Sequence, residues 1–445
     1  MAIIKDIYIE QADNFTFFYN IKNTNLLFTD QELNENYDEI YKQLNEIGFN
    51  NELNATIPKY EVLNIGINIS NTCNFKCRYC FAKHPFEKIT IIEACEFIKK
   101  QVYKNIDCSK FIVDLSGAGE PLLVIEEIFK IKEFCVNLSN EIEKEILVMF
   151  VSNGYLLTKE LAKKIQEKNI LFGISIDGSK NIHDSNRILQ NGNPTFDVVY
   201  KNAMNIEDKT YVGIAISLEF GDYDLYEFFN LYKDFNTISI KPLRPTYSGK
   251  QYMKKCKEML KSYMELTDKL LMDIENHNLK NLYKLLNGED YFGRFISRLI
   301  HHDIVVERCD ICKNRISIKG KKEYICASAT FNDEFLLENY KKKTASRCDT
   351  CIIKNLCGGE CQLMIENNEP NYNMCKLKEI FFYNSVRIYH KLLTSNQFVE
   401  VYNFIEDKNN RYKFNYELDN LVKKYRQIYN FCEIKEIYDK RRDMK

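Results

Sequence analysis

Sixteen cysteines in a chain of 445 residues, and the way they group, constrain this protein more than any other feature. Three of them, Cys73, Cys77 and Cys80, stand in NTCNFKCRYCF at the spacing C-x3-C-x2-C. Eight more crowd into residues 309–375: Cys309, Cys312 and Cys326, then Cys348, Cys351, Cys357 and Cys361 at C-x2-C-x5-C-x3-C, then Cys375. The remaining five are scattered and read as small buried hydrophobes. A secreted disulfide scaffold is short and carries a signal segment. This chain is long, and its opening MAIIKDIYIEQADN meets acidic residues too soon for one. Thiolate ligation of a metal or an iron–sulfur cluster is therefore the leading reading. A 4Fe-4S cluster takes four ligands, so eight thiolates can close two cubanes, while three leave one iron open to something that is not protein. Zinc, which also favours four thiolates, is the bland alternative.

Lys plus Arg number 62 and Asp plus Glu 63, giving a net charge of −1. That balance argues against a nonspecific nucleic-acid binder. No stretch reaches the roughly 18 apolar residues of a membrane span. The expectation is a cytoplasmic protein with neither nucleic-acid nor membrane partners. Charge is uneven, however: residues 1–70 hold four basic and eleven acidic side chains.

Hydrophobic patterning places the cysteine groups. Residues 5–29 read as two or three short strands, followed by a helix from Gln31 to Ile47 that Gly48 ends. From Glu61 a strand–helix rhythm begins. The strands are LNIGINI (63–69), FIVDLS (111–116), ILVMFVS (146–152), ILFGISI (170–176), YVGIAISL (211–218) and TISIKPL (237–243). All are apolar enough to be buried on both faces, which predicts a parallel sheet with helical crossovers. A full eight-unit barrel needs about 250 residues, so a partial (β/α)6 TIM-type barrel fits better. The expected fold class is thus α/β. The expected organisation is a small α+β module over 1–60, the partial barrel over 61–250 and a helical connector over 251–308. A Cys-rich cluster-binding domain over 309–376 and closing helices over 377–445 complete it.

The three-Cys loop follows the first strand of that rhythm, on the face where such domains carry their sites. The loop, its position and the eight downstream cysteines resemble radical S-adenosylmethionine (SAM) enzymes with a SPASM-type extension. The resemblance spans about residues 61–376. It implies that Cys73, Cys77 and Cys80 hold a 4Fe-4S cluster whose open iron binds SAM, and that one electron cleaves SAM to a 5′-deoxyadenosyl radical. Other segments agree. SGAGEP (116–121) resembles the family's glycine–glutamate motif, with Gly117 and Gly119 allowing close approach and Glu120 facing the methionine ammonium. Asn153, in VSNG, is a candidate cofactor hydrogen-bonder. ISIDGSKNIHDSNR (174–187) resembles another family segment. It offers Ser175 for the ribose and Asp177 and Arg187 to order the site. His183 and Asp184 are a candidate catalytic pair, with loop-ordering hydrogen bonds as the favoured reading. Arg244 is a candidate contact to the cofactor carboxylate or a peptide.

By the same resemblance, one auxiliary 4Fe-4S cluster takes Cys309, Cys312, Cys326 and Cys361. A second takes Cys348, Cys351, Cys357 and Cys375. Spacing alone would instead group four neighbours. The family mostly modifies ribosomal peptides or proteins. The formylglycine-forming sulfatase maturases carry an Asp directly after the cysteine that Cys326 matches; here Ala327 stands there. The expectation is a peptide maturase that installs a thioether cross-link in a ribosomal precursor. Carbon–carbon linkage, formylglycine formation, epimerisation and a non-catalytic iron–sulfur or zinc scaffold are the alternatives. Its partners would be the precursor with its leader, bound by residues 1–60, and an electron donor such as flavodoxin or ferredoxin.

Overall fold

The structure is a computed structural model and describes residues 2–30, 37–51, 62–82, 85–210, 212–243, 250–287, 290–302, 304–305 and 315–406. Arg244, Cys309, Cys312, the start of the first expected helix and the charged tail from 407 lie outside the described residues.

The N-terminal part is a four-stranded antiparallel meander, β1 (Ala2–Ile4), β2 (Ile7–Ala12), β3 (Phe15–Asn20) and β4 (Leu26–Thr29). Strand alternation gives it two apolar faces. Ile7, Ile9, Phe18 and Leu27 pack against the helix Tyr37–Glu46 through Leu44. The opposite face presents Tyr8, Phe17 and Tyr19 to the helix Tyr372–Thr394, where their rings lie 6.4, 6.0 and 4.7 Å from Phe382. Phe15 stacks on His390 at 3.8 Å, and Arg387 Nε reaches Asp13 Oδ2 at 2.8 Å. The sheet is thus fastened to the body on one side and roofed by a helix on the other. It has four strands where the sequence suggests two or three, because β1 lies ahead of residue 5 and the chain turns from it into β2 at Lys5, at φ 53°.

The main sheet holds six parallel strands in chain order: β5 (Val62–Ile67), β6 (Lys110–Asp114), β7 (Glu145–Ser152), β8 (Ile170–Ser175), β9 (Val212–Leu218) and β10 (Thr237–Pro242). Helices cross between them as the patterning predicts. Ile91–Lys104 starts on a capping box of Thr90 and Glu93, and Lys159–Glu167 starts on Thr158, which accepts from the Leu161 amide. Two further helices, Lys180–Asn186 and Phe196–Met204, fill the β8–β9 crossover. The sheet also extends beyond the expected six. β11 (Arg315–Lys319) runs parallel beside β5, and β12 (Lys322–Tyr324) turns back antiparallel through Gly320 at φ 56°. The Cys-rich region is therefore joined by hydrogen bonds to the strand that carries the three-Cys loop.

Strand register sorts the two faces. Val62, Ile112, Met149 and Leu171 form a small apolar cluster on one of them. Toward the C-terminal ends that same face carries Gly66, Asp114, Ser175, Ala215, Ser217, Ser239 and Lys241, linked by successive cross-strand pairs. Its wall is small and polar where a ligand would enter. Beyond β10 come the helices Lys250–Glu275, Lys280–Asn287 and Tyr291–Ile300. They are core elements: Tyr263 and Phe292 meet Phe381 of Tyr372–Thr394 at 4.7 and 5.5 Å. Among the described residues no helix is long and apolar enough to cross a membrane.

Candidate active site and a four-cysteine cavity

The loop with Cys73, Cys77 and Cys80 leaves the C-terminal end of β5 and is clamped by residues 186–190. Phe75 bridges Leu189, the Lys76 amide donates to Ile188 O at 2.8 Å, and the Arg78 amide donates to Asn186 O at 2.8 Å. Gln190 Nε2 adds a bond to Phe75 O at 2.8 Å. All three cysteines are free thiols; Cys80 is exposed and the other two are half-buried. The Phe75 amide donates to Cys73 Sγ at 3.4 Å, a contact suited to a thiolate. Burial pushes the Cys73 thiol up to about 12, so its proton leaves readily only when a metal ion replaces it.

Behind this loop lies a buried charged node. Asp177 is fully buried and forms an ion pair with Arg187 Nε at 2.9 Å. Tyr79, between Cys77 and Cys80, donates to Asp177 Oδ2 at 2.5 Å, and the Ser217 amide donates to Oδ1 at 3.1 Å. The Arg187 guanidinium lies 5.4 Å from the Tyr79 ring centre. Asp177 and Arg187 thus hold the middle of the C-x3-C-x2-C loop from β8. His183 is fully buried as well. Its Nδ1 accepts from the Asp177 amide at 3.2 Å, and its Nε2 lies 3.0 Å from Thr195 Oγ1, which donates to Arg187 O. That chain of bonds assigns the proton to Nε2. Burial, and then the Arg187 charge, bring the imidazole down to about 3. Asp184 Oδ1 accepts from the Thr195 and Phe196 amides at 2.9 and 2.8 Å and so fixes the start of Phe196–Met204. Both residues of the candidate catalytic pair are engaged in ordering their loop. Ser175 is half-buried at the end of β8.

SGAGEP follows β6 and lies against the residues after β5. A Cβ at Gly119 would stand 2.4 Å from Ser70 O, and one at Gly117, at φ 35°, 2.8 Å from the Asn68 Cα. These glycines are required by backbone packing between two loops, whatever ligand they also face. Glu120 is buried with both oxygens engaged. Oε1 accepts from the Leu122 amide at 3.0 Å and Ser152 Oγ at 2.7 Å, and Oε2 accepts from the Asn153 amide at 2.8 Å. Desolvation raises its carboxyl against these bonds. It ties the loop after β6 to the loop after β7. Asn153 Nδ2 in turn donates to Asn74 Oδ1 at 2.7 Å, with Cys73 Sγ 3.9 Å away. Gly117, Gly119, Glu120, Asn153, Ser175, Asp177 and Arg187 therefore follow or end strands at one end of the sheet, and of these Asn153, Asp177 and Arg187 touch the three-Cys loop itself.

A second group forms between Ser346 and Lys378. Cys348, Cys351, Cys357 and Cys375 line one cavity together with Glu360 and Lys378. Lys378 Nζ pairs with Glu360 Oε2 at 3.1 Å, both side chains being almost fully buried. Cys361 does not line this cavity. It is buried next to Gln362, whose Oε1 accepts from Tyr340, and Tyr340 and Leu363 pack against the small cluster that holds Cys326. Among the described residues, no three His, Cys, Asp or Glu side chains converge as they would around one metal ion. The four-cysteine set is spread around a space instead. Tyr79, Gln190, Thr195 and the Glu360–Lys378 pair were not singled out from sequence. Only Tyr79 carried a signal there, its place inside the cysteine motif.

Three comparisons bear on this geometry. The model of the radical SAM superfamily matches residues 67–215. An uncharacterized protein of Methanocaldococcus jannaschii is 34% identical over 134 residues, covering 29% of this chain and 43% of that one, so the chain spans under half of its length. A cysteine-type anaerobic sulfatase-maturating enzyme of Clostridium perfringens is 24% identical over 356 residues, covering 72% of this chain and 95% of the enzyme. The structure of histidine-tagged anSMEcpe with bound AdoMet superposes with a TM-score of 0.59 at 20% identity, over 80% of this chain and all of that one, which establishes a shared fold. The matched residues run from the last residue of β5 into β9 and include the C-x3-C-x2-C loop, SGAGEP and the Asp177–Arg187 node, so this chain carries a radical SAM domain.

Proposed function

We propose that the protein is a radical SAM peptide maturase that oxidatively installs a thioether link between a Cys sulfur and a carbon of a ribosomally made precursor. The carrying observation is the free three-thiol loop at the C-terminal end of β5, braced by Asp177, Arg187 and Tyr79 beside a small, polar sheet face. The donor set fits a 4Fe-4S cluster with one open iron. With SAM bound, that cluster supplies a 5′-deoxyadenosyl radical able to take hydrogen from carbon. The chain's own task is to hold the three thiols in place and seat SAM against SGAGEP, Asn153 and Ser175. Cys348, Cys351, Cys357 and Cys375 fit a second, fully ligated cluster. Cys326 and Cys361 would serve a third with Cys309 and Cys312. Filled clusters suit a net oxidation, in which one hydrogen leaves carbon and one leaves sulfur. A precursor leader and a flavodoxin- or ferredoxin-like electron donor complete the proposal.

Formylglycine formation is the second reading, favoured by similarity along nearly the whole of the Clostridium perfringens enzyme. Against it, Ala327 rather than a carboxylate follows Cys326 and opens the short turn Ala327–Ala329. Anaerobic reconstitution should load about twelve irons per chain, four for each cluster. Stoichiometric zinc with little iron would exclude the cluster reading. Mass spectrometry of a Cys-containing precursor after turnover should show the loss of two hydrogens per link, with the linked thiol resistant to alkylation after reduction. The same loss with every thiol alkylatable means a carbon–carbon bond. An aldehyde in place of a thiol means formylglycine. Unchanged mass in ordinary water, with one deuterium gained at Cα in heavy water, means epimerisation.

A further inference from the structure

One buried ion pair stands in the wall of the four-cysteine cavity. Lys378 and Glu360 line that cavity together with Cys348, Cys351, Cys357 and Cys375. Lys378 Nζ meets Glu360 Oε2 at 3.1 Å, and the two side chains are 6% and 2% exposed. Of the described cations in the wall, Arg347 and Lys354 are exposed, so Lys378 carries the buried positive charge. Two features bring it close to the cysteines. Lys378 follows Cys375 by three residues on Tyr372–Thr394, a spacing that places both on one helical face. The Gly359 carbonyl lies 3.2 Å from Cys357 Sγ and 3.4 Å from Lys378 Nζ, so sulfur and ammonium share one oxygen. Glu360 Oε1 accepts from the Cys361 amide at 2.7 Å, which fixes the carboxylate that orients Lys378. A buried ion pair is often no more stabilising than apolar residues of similar volume, so stability alone gives little reason to keep one in a cavity wall.

We propose that Lys378, oriented by Glu360, is the charge-compensating residue of the four-cysteine cavity and holds the reduction potential of a cluster bound there above the value the four thiolates alone would give. The proposal rests on reading the cavity as a cluster site. A cubane held by four thiolates is a net anion, and more strongly so once reduced. A fixed cation beside it favours the reduced state and raises the potential, and a fixed anion lowers it. Lys378 and Glu360 therefore act with opposite signs. Neither gives up an atom or an electron; both are positioning residues.

The test is a redox titration, followed by electron paramagnetic resonance, of the full chain reconstituted anaerobically. The signal that Cys348→Ala removes identifies the cluster. At full iron content, Lys378→Met should move its potential to more negative values and Glu360→Gln to more positive values. Lys378→Arg should stay nearest the wild type, and the SAM-binding cluster should not move. Both charge removals break the same ion pair, so a purely structural role would shift the potential the same way in both, or in neither, and either result overturns the proposal. If one single variant does not load iron at this cavity, Lys378→Met/Glu360→Gln decides, because it leaves no charge unpaired. It should titrate more negative than Glu360→Gln, or more positive than Lys378→Met, whichever has loaded. Equal potentials overturn the proposal, and so does a cavity that stays empty in both single variants or in the double one, since a tuning charge is not needed for assembly. A wild-type chain that holds no iron at these four cysteines overturns the cluster reading itself, and the iron count shows that before any potential is measured.

Discussion

Arg187 lies in the protein interior with Asp177 as its ion-pair partner, and that fact sets the energetics of the three-cysteine loop. Asp177 neutralises it at 2.9 Å and also receives the Tyr79 hydroxyl and the Ser217 amide. Breaking a buried pair by removing one partner leaves an uncompensated charge and typically costs about 3–5 kcal/mol. Asp177→Asn should therefore lower stability to chemical denaturation by about that amount, because the amide keeps the shape and loses the charge. It should also release Tyr79, so iron at the loop should fall while iron bound by the downstream cysteines stays. Equal loss from all sites, or no loss at all, would contradict the local role. At this scale the sequence was legible where residue type dictates chemistry: the cysteines, Asp177 and Arg187 were all singled out. The partners they find were not, because Tyr79 and Thr195 serve through contacts set by a fold that brings residues 75–80 against 186–195. Glu120 shows the same limit. Its place in a motif points outward to a ligand, whereas its three internal bonds are visible only once the loops after β6 and β7 stand side by side.

At the scale of elements, the joint between the N-terminal sheet and the helix Tyr372–Thr394 is pH-sensitive. His390 stacks on Phe15 at 3.8 Å, and burial brings its imidazole down to about 4 despite the opposing pull of Asp13. A histidine with a folded value below its unfolded one binds its proton more readily in the unfolded chain. Stability contributed by the neutral ring is therefore complete above about pH 6.5 and is lost as pH falls toward 4. The slope for one proton is at most about 1.4 kcal/mol per pH unit, and partial exposure reduces it. Replacing His390 with Phe keeps the stacking and removes the proton. Compared over pH 7 to about 4 by denaturant unfolding, the variant should gain on the wild type steadily as pH falls. Parallel curves would refute the assignment. The six parallel strands were readable because apolar runs of four to eight residues with intervening helical patterns leave few alternatives. Lys180–Asn186 escaped because seven residues of KNIHDSN carry no apolar periodicity. β11 escaped because its place beside β5 depends on a partner some 250 residues away in sequence.

For the whole molecule, the question is whether residues 1–50 form an attachment or part of the body. Sequence suggests a leading module, and a leader-binding role remains part of the proposed function. The packing says that it cannot be cut away cleanly. Its inner face supplies Tyr8, Phe17 and Tyr19 to Phe382, Phe15 and Phe28 to His390, and Asp13 to Arg387. Asn355 and His302 both reach carbonyls of the β3–β4 turn. Removing the sheet would bare an aromatic strip on Tyr372–Thr394, and each large side chain so exposed forfeits about 1.5–3 kcal/mol of burial. It would also leave the Arg387 charge with Asp268 alone. A chain that begins at residue 51 should therefore melt well below the full-length protein, bind a hydrophobic dye, and fail to keep iron in the four-cysteine cavity. A loss confined to precursor affinity, with melting and iron content unchanged, would show instead that the sheet is a separable recognition module. If the packing reading holds, leader binding has to be examined by substitutions along the edge strand β1, where Ile3 is 55% exposed, and not by deletion.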